Sequence, residues 1–254
     1  MTEHHYKAVN ESYHTAYFYT GTFENWQKEN ILQWLELQAT DKLVDIGGGT
    51  GRFASLLHEE ANLEQNVLCV DPSVGMLKAA EKLEGVKVIC SGGVEFAKTA
   101  QKYDKALIKE VVHHLPDDDL REMYSGIFAQ LLPGGICLTV TRPHGVQYPF
   151  FEAAHKVWQE NQKTKEHYIE LQMNAGLSTE IGVTLTYEMV ECPVTLTRDW
   201  WLEMVQNRFW STFSNFSDEE LAAGLNEIKE KYAESPTISF TEQMVFIIAR
   251  KPSV

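Results

Sequence analysis

The sequence predicts an α/β fold with parallel strands, and three observations predict it. Short apolar runs alternate with helical patterns from about residue 42 to 140. The first run, at 43–46, breaks at once into a glycine-rich turn that leads into a helical pattern. A second run, Val67-Leu68-Cys69-Val70-Asp71, ends on a carboxylate twenty residues further on. Strand and helix in alternation imply parallel strands joined by right-handed crossovers.

The elements follow in order. Residues 26–37 carry Ile31, Leu32, Trp34, Leu35 and Leu37 among polar residues, which suggests a helix. An aromatic cluster precedes it: Tyr6, Tyr13, Tyr17, Phe18, Tyr19 and Phe23. Strand 43–46, a glycine turn and a helix over 52–60 come next, followed by strands at 67–71, 86–90, 103–110 and 136–140. Asp117, after Pro116, reads as the N-cap of a helix reaching 131. Residues 148–162 read as an aromatic-rich helix, and 168–175 as a helix ended by Gly176. Over 180–190, Val183, Leu185, Tyr187 and Met189 alternate with Thr184, Thr186 and Glu188, as in a strand. A helix is expected over 197–210. Ser217 and Glu220 form a capping-box pattern opening a helix to 232, and 238–250 is a final strand.

The chain has 254 residues, 44% hydrophobic and 23% charged, enough to bury a full core. No apolar run approaches the ~18 residues that span a bilayer, and the polar N-terminus lacks a signal-peptide core. A cytoplasmic protein without membrane contact is expected. The net charge of −14 and the scattered basic residues argue against nucleic acid as a partner. Cys69, Cys90 and Cys137 fall in predicted strands, Cys192 is isolated, and no metal site is expected.

Strand, glycine turn and helix N-terminus together form a nucleotide-binding device. The dinucleotide fingerprint is G-x-G-x-x-G/A, but Arg52 stands where its last glycine belongs. The observed pattern is Asp45-x-Gly47-x-Gly49-x-Gly51, which resembles motif I of the class I S-adenosylmethionine-dependent methyltransferases. The resemblance extends over about a hundred residues. Asp71-Pro72-Ser73 looks like motif II, with Asp71 on the ribose hydroxyls, and Met76 falls where an apolar side chain meets adenine. Tyr103 to Glu110 looks like motif IV, whose end borders the methyl donor, and Leu132-Pro133-Gly134-Gly135 looks like the turn into the fifth strand. One departure stands out: Gly92 lies nearest the position where many relatives carry an adenine-binding Asp, which leaves backbone groups or Ser91 for that contact.

The resemblance implies a Rossmann-like, seven-stranded, mostly parallel sheet with an antiparallel C-terminal hairpin and a helical substrate cap. It implies an N-terminal helical lid over 1–40, a cofactor-binding core over 41–142, and a cap with the C-terminal strands of the same domain over 143–254. S-adenosylmethionine is the implied cofactor. Its expected binding residues are Asp45, Gly47, Gly49, Gly51, Asp71, Pro72, Met76, Ser91, Gly92 and Lys109.

Methyl transfer needs alignment, exclusion of water and, for some acceptors, a base. His113 and His114 directly follow motif IV, and imidazoles suit a base near neutral pH. His114 is the preferred candidate, then His113 and the N-terminal His14; packing or cofactor positioning is the competing role for this pair. Tyr13 and Tyr17 are candidates for orienting the nucleophile, or a plain aromatic packing surface. Trp200, Trp201, Phe209, Trp210, Phe213 and Phe216 crowd one short span, with Arg208 among them. Aromatics at such spacing are commonly core, yet a cation–π pocket or a slot for a flat ring also fits. Trp200, Trp201, Arg208 and Trp210 are therefore the substrate-binding candidates. The sequence reads as a methyltransferase acting on a small molecule, with N-methylation favoured over O-methylation, as a monomer or homodimer. An NAD-dependent oxidoreductase and a non-catalytic cofactor-binding regulator are the alternatives.

Overall fold

The computed structural model describes residues 20–178 and 182–253. Tyr13, His14 and Tyr17 lie outside the described residues. The sheet has seven strands in the order β3-β2-β1-β4-β5-β7-β6. They are β1 (Leu43–Ile46), β2 (Val67–Asp71), β3 (Val86–Cys90), β4 (Tyr103–Lys109), β5 (Leu131–Thr141), β6 (Thr184–Thr197) and β7 (Thr237–Arg250). β1 to β5 pair in parallel, and β7 runs antiparallel to β5 with Ile136 opposite Arg250 and Thr141 opposite Val245. All four residues of β1 are buried, as expected of a strand covered on both faces. The chain runs outward from β1 to β3 and returns to β4 on the other side of β1. This reversal is the switch point beyond whose carboxyl ends open α/β sheets bind ligands.

The helices are α1 (Gly21–Leu35), α2 (Arg52–Glu60), α3 (Val74–Ala80), α4 (Gly93–Ala97), α5 (Asp117–Gln130), α6 (Glu152–Asn161), α7 (Lys165–Ser178), α8 (Arg198–Gln206) and α9 (Asp218–Lys231), with 3-10 turns at Val112–His114 and Ser211–Asn215. The chain forms two compact units. One, the α/β unit, comprises residues 27–142, 163–190 and 244–254. Its core includes Val44, Ile46, Val70, Ala106, Ile108 and Phe128. The other comprises, among the described residues, 20–26, 143–162 and 191–243. Its core is aromatic, with Tyr148, Phe150, Trp201, Trp210 and Phe213 all buried.

Several boundaries differ from the sequence reading, each for a local reason. α6 begins at Glu152, not 148, because Pro149 disfavours helix in the residue before it. Tyr148, Phe150 and Phe151 instead pack into the aromatic core. Gly176 does not end a helix: α7 continues through it, and a Cβ there would sit 2.4 Å from Val183 Cγ2. Close packing, not a turn, explains this glycine. Pro116, not Asp117, occupies the N-cap of α5, and the Asp117 carboxylate takes an ion pair from Lys163 and a 3.1 Å contact from His167. β6 runs on through Pro193, which its edge position tolerates. α8 stops at Gln206, and Arg208 adopts a φ of 52°. The capping box at Ser217 is formed, with both reciprocal hydrogen bonds present.

Candidate active site

The loop between β1 and α2 is tightly folded. Gly47 and Gly48 donate their N–H groups to Val70 O at 2.7 and 3.2 Å, and Gly51 N–H bonds Gly48 O at 3.0 Å. Gly47, Gly49 and Gly51 have φ of 73°, 56° and 73°, the left-handed region open to glycine. A Cβ on Gly47 would sit 2.1 Å from Val111 Cγ2, so the turn after β4 abuts the loop. Beyond Gly49, no atom of the described residues lies within 4 Å of where a Cβ would stand. Gly51 caps the N-terminus of α2.

Two carboxylates frame this loop. Asp71 ends β2 and accepts hydrogen bonds from Gly49 N–H at 3.1 Å and Ser73 N–H at 2.8 Å. Burial pushes its pKa up, while these two donors pull it down. Each carboxylate oxygen has lone pairs to spare for a ligand hydroxyl. Asp45 is only 2% exposed, and its Oδ2 would lie 2.7 Å from a Cβ on Gly48. Burial raises its pKa to about 7; Lys109 lowers it and Asp71 raises it further. Lys109 ends β4 with its Nζ 4.5 Å from the centre of the Phe53 ring, a cation–π distance. Burial lowers the Lys109 pKa to about 8, opposed first by the adjacent Glu110.

Met76 is buried at 3% exposure in α3, whose N-cap is the Ser73 hydroxyl; Pro72 is exposed. Ser91 Oγ donates to Gly92 O at 3.0 Å, and Gly92 precedes α4 in an extended conformation. Sequence reasoning missed Glu95. Its Oε2 lies 2.3 Å from where a Cβ on Gly92 would be, so a carboxylate from one turn along α4 covers the glycine. An acidic residue three positions after the gap in the pattern was the available signal.

His113 and His114 lie in the 3-10 turn after β4, half-buried, with ring centres 3.9 Å apart. Burial and then the nearby Arg142 guanidinium lower the His113 pKa to about 4, so this imidazole is neutral at physiological pH. The remaining candidates lie in the aromatic unit. Trp201 is fully buried and donates its Nε1–H to Pro149 O at 2.8 Å; its ring centre lies 5.1 Å from that of Trp210, which is 7% exposed. Arg208 donates to Phe213 O, to Phe216 O at 2.8 Å and to Asp218 Oδ1 at 2.8 Å. Trp200 is half-buried, and its backbone N–H is held by the Thr197 cap.

Residues 43–135 match the family model of the methyltransferase domain. No curated protein sequence is significantly similar to the chain. Solved structures share its fold. A SAM-dependent methyltransferase from Archaeoglobus fulgidus is 19% identical, with a TM-score of 0.55 over 89% of this chain and 91% of that one. The cyclopropane synthase MmaA2 of Mycobacterium tuberculosis is 15% identical, with a TM-score of 0.59 over 90% and 84%. Phosphoethanolamine N-methyltransferase 2 of Haemonchus contortus, solved with phosphomonomethylethanolamine and S-adenosylhomocysteine, is 20% identical, with a TM-score of 0.55 over 89% of this chain and 52% of that one. The glycine loop and the carboxylate ending β2 both lie within the matched domain, whose family is that of methyltransferases. Residues 43–135 form a methyltransferase domain.

Proposed function

We propose that the chain methylates a small-molecule acceptor, preferentially at nitrogen rather than oxygen. The observation that carries the cofactor side of this reading is the Gly49 loop. It combines left-handed backbone, open space above it and an N–H group anchored on Asp71. Bound there, S-adenosylmethionine supplies an electrophilic methyl group on a sulfonium. Asp71 is placed to accept bonds from the ribose hydroxyls. The buried Asp45 is the counter-charge for the methionine end, where Lys109 also lies. Ser91, the Gly92 backbone, Pro72 and Met76 serve the adenine end, and Glu95 supplies the carboxylate that Gly92 lacks. The cofactor held by these residues would supply the methyl group to the acceptor's lone pair, and a base on the protein would take the acceptor's proton. His114 is the candidate for that proton, with His14 as an alternative. His113, held neutral by its surroundings, is better suited to positioning. Tyr13 and Tyr17 serve as lid residues, and Trp200 is the cap tryptophan with surface to offer a substrate. The acidic net charge speaks against a nucleic-acid partner, and a cytoplasmic protein, monomer or homodimer, without membrane contact completes the reading.

Calorimetric titration with S-adenosylmethionine and with NAD tests the cofactor side: binding of the first alone is expected. Incubation with isotope-labelled methyl donor and a metabolite extract tests the acceptor side. Label recovered only in proteins or nucleic acid would overturn the small-molecule reading.

A further inference from the structure

The α/β unit holds a second group of polar atoms, at the carboxyl ends of β4 and β5. Glu110 follows β4 with a φ of 58°, a conformation that costs a non-glycine residue of order 1 kcal/mol or more. Arg142, just beyond β5, is ion-paired with its Oε2, and both side chains are about nine-tenths buried. Glu110 Oε1 is also buried, with no hydrogen-bond partner among the described residues. On α7, Tyr168 is fully buried and its hydroxyl is likewise without a hydrogen-bond partner among the described residues. One turn along the same face, Gln172 is fully buried with both amide atoms unpartnered. The Glu110 carboxylate lies near enough to Tyr168 to raise the phenol's pKa, second only to burial. Arg142 lies near enough to His113 to lower the imidazole's pKa, second to burial. Folded proteins leave few buried polar groups unpaired, and each costs roughly 1–3 kcal/mol. Four such atoms on three residues, beside a strained backbone, make a poor structural core and a good ligand site.

We propose that Glu110, Tyr168 and Gln172 form the methyl-acceptor site, and that the acceptor is a primary or secondary amine whose N–H is bound by Glu110 Oε1. This rests on the methyl-transfer reading above and adds to it the residues and the acceptor class. The argument for an amine is a count of partners. Glu110 Oε1, the Tyr168 oxygen and Gln172 Oε1 all accept hydrogen bonds, and an ionised carboxylate can only accept. A hydroxyl acceptor offers one proton, whereas a neutral amine, the form that keeps its lone pair for the methyl group, offers up to two. Arg142 fixes the orientation of Glu110 by holding its other oxygen.

The test uses the full chain with labelled methyl donor, small primary and secondary amines, and alcohols of matching skeleton. Label is expected in amines and not in the matched alcohols. Glu110→Gln is expected to raise the amine KM at least tenfold with cofactor affinity unchanged by calorimetry. Tyr168→Phe and Gln172→Leu are expected to raise KM less and to melt at or above the wild-type temperature, since each removes unpaired polar atoms. If Glu110→Gln fails to fold, the Tyr168→Phe and Gln172→Leu pair carries the test. A protein that binds cofactor but methylates no amine, or methylates only the alcohols, overturns the amine assignment. Wild-type KM in the folded variants, with lowered melting temperature for Tyr168→Phe, shows an ordinary packing role and overturns the site. A protein that does not bind the cofactor at all overturns the transferase reading, and the acceptor site falls with it.

Discussion

At the residue scale, Asp45 behaves unlike a surface carboxylate. Its pKa near 7 means that it is part-protonated in the free protein, and Lys109, near 8, is mostly charged. A cationic cofactor arriving beside them favours ionised Asp45 and deprotonated Lys109. Both shifts release protons. Calorimetry at pH 7 in two buffers of different ionisation enthalpy should therefore report a net release of roughly half a proton to one proton. Affinity should rise with pH through 7, and Asp45→Asn should remove the share that Asp45 supplies, up to about half a proton. A second prediction concerns the base. His114→Gln should lower turnover by ~10²-fold with cofactor affinity intact, if His114 takes the acceptor's proton. Single-turnover assays of the variant separate that loss from slower product release. His113 carries no comparable expectation, because its environment opposes protonation.

At the scale of elements, the β1–α2 loop depends on backbone shape. Gly49→Val places a β-branched side chain at a φ of 56°, a conformation such residues rarely adopt. The open space above Gly49 means that strain and blockage of the ligand, not a clash within the protein, would cause the effect. The variant should lose cofactor binding while circular dichroism shows an intact sheet. The cap tryptophans divide in the same way. Trp201→Leu should cost roughly 3 kcal/mol or more of stability, because it empties the centre of an aromatic core and orphans Pro149 O. Trp200→Leu should cost little stability. Its effect on acceptor KM is then a clean test of substrate contact, with thermal melts alongside the kinetics.

At the scale of the whole molecule, two buried groups tilt stability in opposite directions with pH. His113 is lowered from its ordinary ~6.5 to about 4, so the unfolded chain protonates first on acidification. That effect removes stability as pH falls from ~6.5 to 4. Asp45 is raised from ~3.9 to about 7, so the folded state keeps a proton that the unfolded chain has lost. That effect removes stability as pH rises over nearly the same window. The two oppose one another, and these sites leave the free protein little pH dependence between 4 and 6.5. Asp45→Asn removes one of them. Its melting temperature should therefore fall on acidification from pH 6.5 to 4.5 by more than that of the wild type. A parallel response in both proteins would show that Asp45 titrates normally.

The sequence by itself determined the α/β class, the strand at 43–46 with its glycine turn, the carboxylate at Asp71 and the helix opened by Ser217. These are local patterns: apolar runs, glycine spacing and caps act between residues a few positions apart. It also led to the methyltransferase family, because the same short motifs recur in fixed order. Tertiary structure alone decided the rest. Gly176 looks like a helix stop in sequence, yet it marks close packing on Val183. Trp201, a substrate candidate by sequence, donates its indole N–H to Pro149 O, a carbonyl that only the fold brings near. Glu95 covers Gly92, and Glu110 shares its surroundings with Tyr168, which lies far along the chain. Burial and long-range proximity set pKa values and pairing, and neither is written in local spacing.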